Sequence, residues 1–191
     1  MIFLTSLVIC IFLHEIGHLI VAKAVKCKVL VYSIGFGKPV LWSKKIGDTI
    51  YQITPWIFGG YCQLKDELST SRSKYAFTNL SYRKKAAISV AGVAVNIISG
   101  LIVGIIGLLF ENYPCIYFAT LSILLGLSNL LPIPALDGSY LYLVWLEKLY
   151  GKEKGYTLMN RICTVSLKIL MILNIACIPW LIYLFLTGQV K

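Results

Sequence analysis

The residues that decide the fold are His14-Glu15-Ile16-Gly17-His18, which lie inside an apolar run that begins at Met1. Residues four apart share one face of a helix, so His14 and His18 can bind one metal ion together. Glu15 is about a quarter turn away, where it misses the metal and still reaches a water bound to it. An HExxH pattern on a helix is typical of zinc sites in which the glutamate acts as a general base. The sequence therefore predicts a metal site in a helix of membrane-spanning character.

A purely structural role for the two histidines is the alternative to a metal site. Both histidines of the chain fall in this motif. An uncompensated Glu15 at mid-bilayer would cost at least about 2.5–3.5 kcal/mol, which argues against a chance arrangement. Cys10 lies four residues before His14 and can share its helix face, although a small buried side chain is its simpler role. These considerations favour metal binding by His14 and His18, with Cys10 as a reserve candidate.

The composition is that of a membrane protein. Hydrophobic residues make up 58% of the 191 residues and charged residues only 14%, and the mean hydropathy is +0.80. A soluble domain of this length cannot bury so much apolar surface, which predicts one compact polytopic membrane unit without an appended soluble domain. The first segment lacks a basic region and a small-residue cleavage site, so we expect it to be retained. The six cysteines include no CxxC pair, which predicts neither a zinc ribbon nor a disulfide framework.

The net charge of +10 indicates membrane topology rather than nucleic-acid binding, because the cations are clustered. Twelve Lys or Arg residues lie between Lys23 and Lys85, five lie between Lys148 and Lys168, and only Lys191 remains. The positive-inside rule places both clusters in the cytoplasm. We therefore expect a multi-pass protein of the cell membrane with both termini outside and a site that opens to the cytoplasm.

Four apolar stretches are long enough to span a bilayer, which takes about twenty helical residues. They cover about 1–24, 86–110, 115–146 and 162–187. Pro132 and Pro134 predict a break of the third helix near 132–138, because proline removes a backbone donor and clashes with the preceding turn. Irregular backbone at membrane depth is tolerated where it is buried in protein or lines a polar cavity, so the break indicates a site.

Residues 29–64 are predicted to form a β element rather than a helix, because glycines and prolines separate short β-prone pieces. The segment Lys44-Lys45-Ile46-Gly47-Asp48 predicts a hairpin turn between strands at 39–43 and 49–54. Aromatic side chains suit contact of this element with the bilayer surface. The predicted fold class is an all-α polytopic membrane protein with about four transmembrane helices and a membrane-associated β-hairpin element after the first helix.

Asp137 is the candidate for the third metal ligand. A catalytic zinc takes three protein ligands and keeps one position for water, and the chain has no third histidine. Glu111 belongs to the opposite surface, and five acids lie in charged segments where solvation is expected: Asp48, Asp66, Glu67, Glu147 and Glu153. Asp137 alone lies in apolar sequence, where an unpaired carboxylate is costly. A structural hydrogen-bonding role for Asp137 is the alternative.

These residues resemble those of the site-2 protease family of intramembrane zinc metalloproteases. Residues 14–18 look like the HExxH helix of that family, and Asn-Leu-Leu-Pro-Ile-Pro-Ala-Leu-Asp-Gly at 129–138 resembles its third-ligand segment. Residues 91–96 resemble its Gly-Pro-x-x-Asn stretch, with Val93 in place of the proline. The resemblance covers roughly residues 1–140. It implies one Zn²⁺ per chain, held by His14, His18 and Asp137 with Glu15 as the catalytic base, in a bundle of membrane helices in a prokaryotic cell membrane.

The resemblance also implies the class of substrate. The family cleaves transmembrane segments of membrane proteins, such as a membrane-tethered transcription regulator or a sporulation factor, and a membrane partner can regulate the cleavage. An extended substrate can add as a strand beside Gly59 and Gly60. Asn96 and Asn129 are polar residues in apolar helices, and two roles stay open for them: holding the substrate backbone or hydrogen-bonding between helices.

Three other classes compete with a site-2 protease. A zinc transporter or a zinc-binding regulator could carry HExxH, but the chain lacks a second set of intramembrane acids or histidines for a relay. A catalytically silent scaffold would have lost the glutamate or a ligand, and Glu15, His14 and His18 are all present. A prenyl-protein endopeptidase shares HExxH, but the Leu-Asp-Gly segment favours the site-2 type.

Overall fold

The computed structural model describes residues 2–67, 73–131, 133 and 136–186. The helices of this part of the chain are α1 (Ile2–Ala24), α2 (Tyr82–Leu109), α3 (Tyr113–Asn129), α4 (Ser139–Tyr150) and α5 (Lys152–Leu186). A short 3₁₀ helix, Phe77–Asn79, precedes α2. The stretch expected at 115–146 is interrupted, since α3 ends at Asn129 and α4 begins at Ser139. Pro132 and Pro134, to which the interruption was attributed, lie outside the described residues.

Two of the described helices, α1 and α2, are long and apolar enough to cross a membrane. The helix α3 is also apolar but has 17 residues. The last helix begins at Lys152, ten residues before the start expected at 162. The reason is that its first turns carry a buried face: Tyr156 and Met159 pack into the core while the lysines and glutamate around them face outward.

Glycines allow α2 to approach α3 closely. Gly100, Gly104 and Gly107 recur on one face of α2, and a Cβ on Gly100 would lie 2.7 Å from Ile123 Cγ1 of α3. A Cβ on Gly107 would lie 2.9 Å from Ile116 Cγ1. Small residues at such spacing let helix backbones meet, which is the usual basis of helix packing in membranes. The result is a tight α2–α3 pair on which α1 packs.

The β element is a four-stranded sheet, so the expected single hairpin is only part of it. Its strands are β1 (Val29–Phe36), β2 (Trp42–Ile46), β3 (Thr49–Ile53) and β4 (Trp56–Leu64), in the order β2-β3-β1-β4. The expected turn at 44–48 was too long, because Lys44, Lys45 and Ile46 pair with β3 and the turn is Gly47-Asp48. Gly47 has a φ of 61°, the left-handed conformation that glycine adopts without strain.

The pairing of the strands leaves β4 at one edge of the sheet. The hairpin β2–β3 is antiparallel, β1 pairs in parallel with β3, and β1 pairs antiparallel with β4. The other edge of β4 therefore pairs with no strand among the described residues. This edge strand packs against α1, which carries the HExxH motif.

A small core at one end of the bundle fixes the helix α4. It joins the end of α1, the sheet, and the facing sides of α2, α4 and α5, through Ala22, Val29, Ile88, Leu143 and Tyr156 among others. A charged pair lies beside it: Lys85 Nζ is 2.8 Å from Glu147 Oε1 and donates to the Tyr156 hydroxyl at 2.7 Å. Since Glu147 is on α4, this pair helps to set the position of the segment that carries Asp137.

Candidate metal centre and cleft

Two histidines of α1 and one aspartate that precedes α4 converge on one point. His14 Nε2 and His18 Nε2 are 3.2 Å apart, because the residues are one helical turn apart on the same face. Asp137 Oδ2 lies 2.8 Å from His14 Nε2 and 3.1 Å from His18 Nε2. Both histidines are buried and Asp137 is partly buried. The structure thus brings together the three residues that the sequence suggested as ligands.

The end of α3 holds Asp137 in place. The Gly138 backbone N–H donates to the Asn129 carbonyl at 2.9 Å, which closes the chain back onto the last turn of α3. A Cβ on Gly138 would collide with the carbonyl oxygens of Leu130 and Leu131. Only glycine therefore fits at this point, and its neighbour Asp137 is carried into the bundle as a consequence.

A glycine of α2 leaves room at the two histidine nitrogens. A Cβ built on Gly92 would lie 2.5 Å from His18 Nε2 and 2.7 Å from His14 Nε2. On the facing side, a Cβ on Gly17 of α1 would lie 2.6 Å from the Ala91 carbonyl oxygen. The two helices are thus in backbone contact beside the site. In the sequence, Gly92 is visible only as part of the stretch at 91–96, and its spacing from Gly17 gives no sign of the contact.

The residues present fit a zinc ion. Two imidazole nitrogens and one carboxylate oxygen form a donor set that zinc accepts, and three protein ligands leave a position for water. His18 Nδ1 lies 2.8 Å from the Ile88 carbonyl oxygen, which accepts its proton and leaves Nε2 free to bind a metal. The space left by the missing side chain of Gly92 adjoins the Nε2 atoms of His14 and His18. No other group of three or more ligand-type side chains converges in this way within the described residues.

Glu15 lies beside this cluster and has its own partners. The Cys62 backbone N–H of β4 donates to its carboxylate. Gly60 of the same strand is close, since a Cβ there would lie 3.0 Å from Glu15 Cγ. Glu15 therefore meets the edge strand while His14 and His18 meet Asp137, as expected of a group that works beside a metal rather than on it.

A cleft of about 350 Å³ opens in front of Glu15 and His18. The edge strand β4 forms one wall from Gly60 to Leu64, and the other walls come from α2, α4, α5 and the segment after β4. Gly59 is not among the described lining residues, and a Cβ there would fall on the Phe36 ring of β1. Of the two glycines expected at the substrate strand, Gly60 is thus the one at the cleft.

The two asparagines expected near the substrate lie elsewhere among the described residues. Asn96 is fully buried and its side chain faces His14. Asn129 is partly buried, and its amide donates to the Leu125 carbonyl at 3.1 Å. Neither lines the described cleft. The structure shows an interhelical contact for Asn96 and a contact within its own helix for Asn129, and a role for either in substrate binding stays a prediction.

Two acids for which the sequence predicts solvation, Glu67 and Glu147, have tertiary partners. Glu67 lines the cleft and accepts a hydrogen bond from the Tyr140 hydroxyl. Its burial raises the pKa of the Glu67 carboxyl to about 7. Glu147 is held by Lys85 as described above. Both assignments failed because charged neighbours in sequence do not reveal which groups the fold places opposite them. Cys10 is buried with its thiol toward the Phe118 carbonyl, away from the ligand cluster.

The comparison with protein families decides the family of the chain. The model of "Peptidase family M50" matches residues 2–116 and 112–173, which include the whole HExxH helix and Asp137. The chain belongs to peptidase family M50. The match spans most of the described part of the chain and includes the sheet and α5 as far as residue 173.

Individual relatives of this M50 chain are known from several bacteria. The zinc metalloprotease Rip1 of Mycolicibacterium smegmatis is 35% identical over 109 residues, which cover 52% of this chain and 27% of that protein. Rip1 of Mycobacterium tuberculosis is 33% identical over 100 residues, 50% of this chain and 24% of that protein. A protein of Borreliella burgdorferi is 37% identical over 117 residues, 54% of this chain and 27% of that protein. The chain thus matches about a quarter of the length of each relative.

Proposed function

We propose that this M50 chain is a zinc-dependent endopeptidase that cleaves transmembrane segments of other membrane proteins. The observation that carries the proposal is the convergence of His14, His18 and Asp137 beside Glu15, in a cleft with a free strand edge as one wall. The names of the related zinc metalloproteases support the choice of metal and of reaction. One Zn²⁺ ion per chain is part of the proposal.

The chemistry assigned to the residues is peptide hydrolysis. His14, His18 and Asp137 would hold the zinc ion, which when bound lowers the pKa of a water toward ~7 and polarises the scissile carbonyl. Glu15 takes the proton of that water and passes it to the leaving nitrogen. The Cys62 N–H, which donates to Glu15, keeps the carboxyl group of Glu15 at the cleft wall through both proton transfers.

Binding of the substrate is assigned to the edge of β4. A helical segment hides its amide bonds, so it must unwind before hydrolysis, and an extended peptide can then pair with a free strand edge through main-chain hydrogen bonds. The β4 residues from Gly60 to Leu64 line the cleft next to Glu15. Pairing by main-chain groups makes little demand on sequence, which suits a protease that accepts an unwound membrane segment.

The site is assigned to the membrane interior near the cytoplasmic side. The helix α1 exposes large apolar side chains along its length, including Phe3, Ile9 and Ile20. If α1 enters from outside near Met1, His14 and His18 lie ~20–27 Å along it at 1.5 Å per residue, in the inner half of a ~30 Å core. The exposed Trp42, Ile46 and Trp56 of the sheet suit contact with the bilayer surface.

The experiment that tests the function separates metal binding from catalysis. Glu15→Gln keeps the size of the side chain but cannot accept a proton, so zinc content and fold should persist while cleavage falls by ~10²–10⁴-fold. Membrane stubs that accumulate in cells carrying Glu15→Gln identify a single-span substrate. Its cleavage is then followed in proteoliposomes beside the zinc content of the same samples.

The matched control is Glu153→Gln, which makes the same chemical change at an exposed position in the first turn of α5. It should cleave as the unaltered protein does. If Glu15→Gln cleaves normally, the proposed mechanism is wrong. If Glu15→Gln loses zinc together with activity, Glu15 is a ligand or a structural residue, and the separation of roles is wrong.

A further inference from the structure

The two histidines of the metal centre are oriented by different kinds of partner. His18 Nδ1 faces the Ile88 carbonyl, which can only accept, so the proton of a neutral imidazole is on Nδ1. His14 Nδ1 lies 3.2 Å from Asn96 Nδ2. A carboxamide has a donor end and an acceptor end. The tautomer of His14 therefore depends on which end of a side chain faces it, whereas that of His18 is fixed by the backbone.

Only one end of the Asn96 carboxamide suits a His14 that binds a metal. With Nδ2 toward Nδ1, the carboxamide donates, and the imidazole proton is on Nε2, the atom that lies 2.8 Å from Asp137 Oδ2. A metal needs the lone pair of Nε2. With Oδ1 toward Nδ1, the carboxamide accepts the Nδ1 proton and leaves that lone pair free. A half-turn about the terminal bond exchanges the two ends, which have nearly the same size.

A second observation points to the same orientation. Asn96 has 0% exposure, and its Oδ1 lacks a hydrogen-bond partner within the described residues. A buried acceptor without a donor is costly, and an Oδ1 turned to His14 Nδ1–H has one. The backbone of Asn96 is itself held, since Ser122 Oγ of α3 donates to its carbonyl at 2.8 Å. The hydrogen bond from Ser122 thus fixes the backbone of Asn96, whose side chain lies 3.2 Å from His14 Nδ1, within hydrogen-bond distance.

We propose that Asn96 is a positioning residue of the metal centre, whose Oδ1 accepts the Nδ1 proton of His14 and so leaves His14 Nε2 free for the metal. It acts through His14 and does not touch the substrate. The proposal rests on the metal-binding half of the proposed function and not on the identity of the cleaved peptide. It also gives the interhelical contact of Asn96 a chemical role. A protein with an apolar side chain of similar size at position 96 should bind zinc less tightly than the protein with asparagine.

Three variants test the proposal through zinc affinity, measured by competition with a chromophoric chelator on detergent-purified protein. Asn96→Leu removes the acceptor at similar volume and should weaken zinc binding by about 10–100-fold. Asn96→Asp keeps an oxygen that accepts the Nδ1 proton and should stay within about tenfold of the unaltered protein. Asn160→Leu makes the same change at an exposed position on α5 and should leave the affinity unchanged.

A spectroscopic measurement reads the hydrogen bond of the His14 Nδ1 proton directly. The chain has two histidines, so ¹⁵N-histidine labelling gives only the signals of His14 and His18. In the zinc-loaded protein both imidazoles should show a protonated Nδ1 and a metal-bound Nε2. In zinc-loaded Asn96→Leu the His14 Nδ1–H signal should shift because its proton has lost the acceptor, whereas the His18 signals should stay because the partner of His18 is the Ile88 carbonyl.

Each outcome decides the proposal. It is wrong if Asn96→Leu keeps either the zinc affinity or the His14 signals of the unaltered protein. It is also wrong if Asn96→Asp loses zinc as Asn96→Leu does, since an accepting oxygen at the same place would then not be enough to hold the metal. If Asn96→Asp does not fold, the His14 signals of the unaltered protein and of Asn96→Leu decide. Failure of the proposed function looks different, because the unaltered protein would then bind no zinc or would bind it without cleaving.

Discussion

Replacing Gly92 by alanine should weaken zinc binding without weakening the helix that carries the change. The added Cβ would lie 2.5 Å from His18 Nε2 and 2.7 Å from His14 Nε2. Ordinary van der Waals contact begins at 3.4 Å, so the two nitrogens would have to retreat by roughly 0.9 and 0.7 Å. A zinc–nitrogen bond of ~2.0–2.1 Å tolerates deviations of only ~0.2 Å. The required shift is several times larger than this tolerance.

The expected loss of zinc affinity follows from that comparison. Changes in the surroundings of a ligand typically cost 10–100-fold in metal affinity. Moving two ligands at once should cost at least about 100-fold, which corresponds to about 2.8 kcal/mol. Alanine favours a helix over glycine by ~0.8–1.0 kcal/mol, so α2 itself should not be weakened. The assay is chelator competition, with helicity and elution volume in detergent as checks of the fold.

Gly104→Ala is the matched control, because it makes the same change on the same helix. Its Cβ would meet only Ala119 Cβ, at 3.1 Å, and no group of the metal centre. We expect zinc affinity like that of the unaltered chain. A folded Gly92→Ala protein that binds zinc as tightly as Gly104→Ala would refute the reasoning, since it would show that the space beside Gly92 does not determine where the two Nε2 atoms lie.

Two further predictions concern the packing of α4 and the orientation in the membrane. Lys85→Met leaves the partly buried Glu147 without its cation and should destabilise the protein by about 3 kcal/mol, the low end for a buried pair, as measured by unfolding in detergent. Adding Glu147→Leu should restore part of the loss, and equal stability of Lys85→Met and the unaltered protein would contradict this prediction. A membrane-impermeant thiol reagent should label Lys152→Cys only from the cytoplasmic side and Tyr113→Cys only from outside, and labelling of both from one side would overturn the proposed orientation.

The residues of the metal centre could be identified from the sequence because each follows from a local rule. The helical period places His14 and His18 on one face, and the cost of an isolated carboxylate singles out Asp137 in apolar sequence. The boundaries of α1 and of the β element also follow from local composition, and the structure has them at Ala24, Val29 and Leu64. Signals of this kind need no knowledge of which segments meet.

The rest of the fold depends on which segments meet, and the sequence carries weak signals for that. A hairpin is visible locally, but the parallel pairing of β1 with β3 and the addition of β4 join strands that are not neighbours in sequence order. The partners of Glu67 and Glu147 come from α4 and α2, far along the chain. Because charged neighbours in sequence were the only local signal, both acids were expected in solvent.

The contact between α1 and α2 shows why residues without reactive groups matter as much to the site as the ligands. His14 and His18 can meet Asp137 only if α2 lets the helices approach, and the approach depends on Gly17 and Gly92. Asp137 in turn comes from a different element than the histidines. A metal bound by all three therefore joins two segments that are more than a hundred residues apart, and its binding energy also stabilises their packing. Substitutions that loosen either segment should consequently lower zinc affinity even where they touch none of the three ligands.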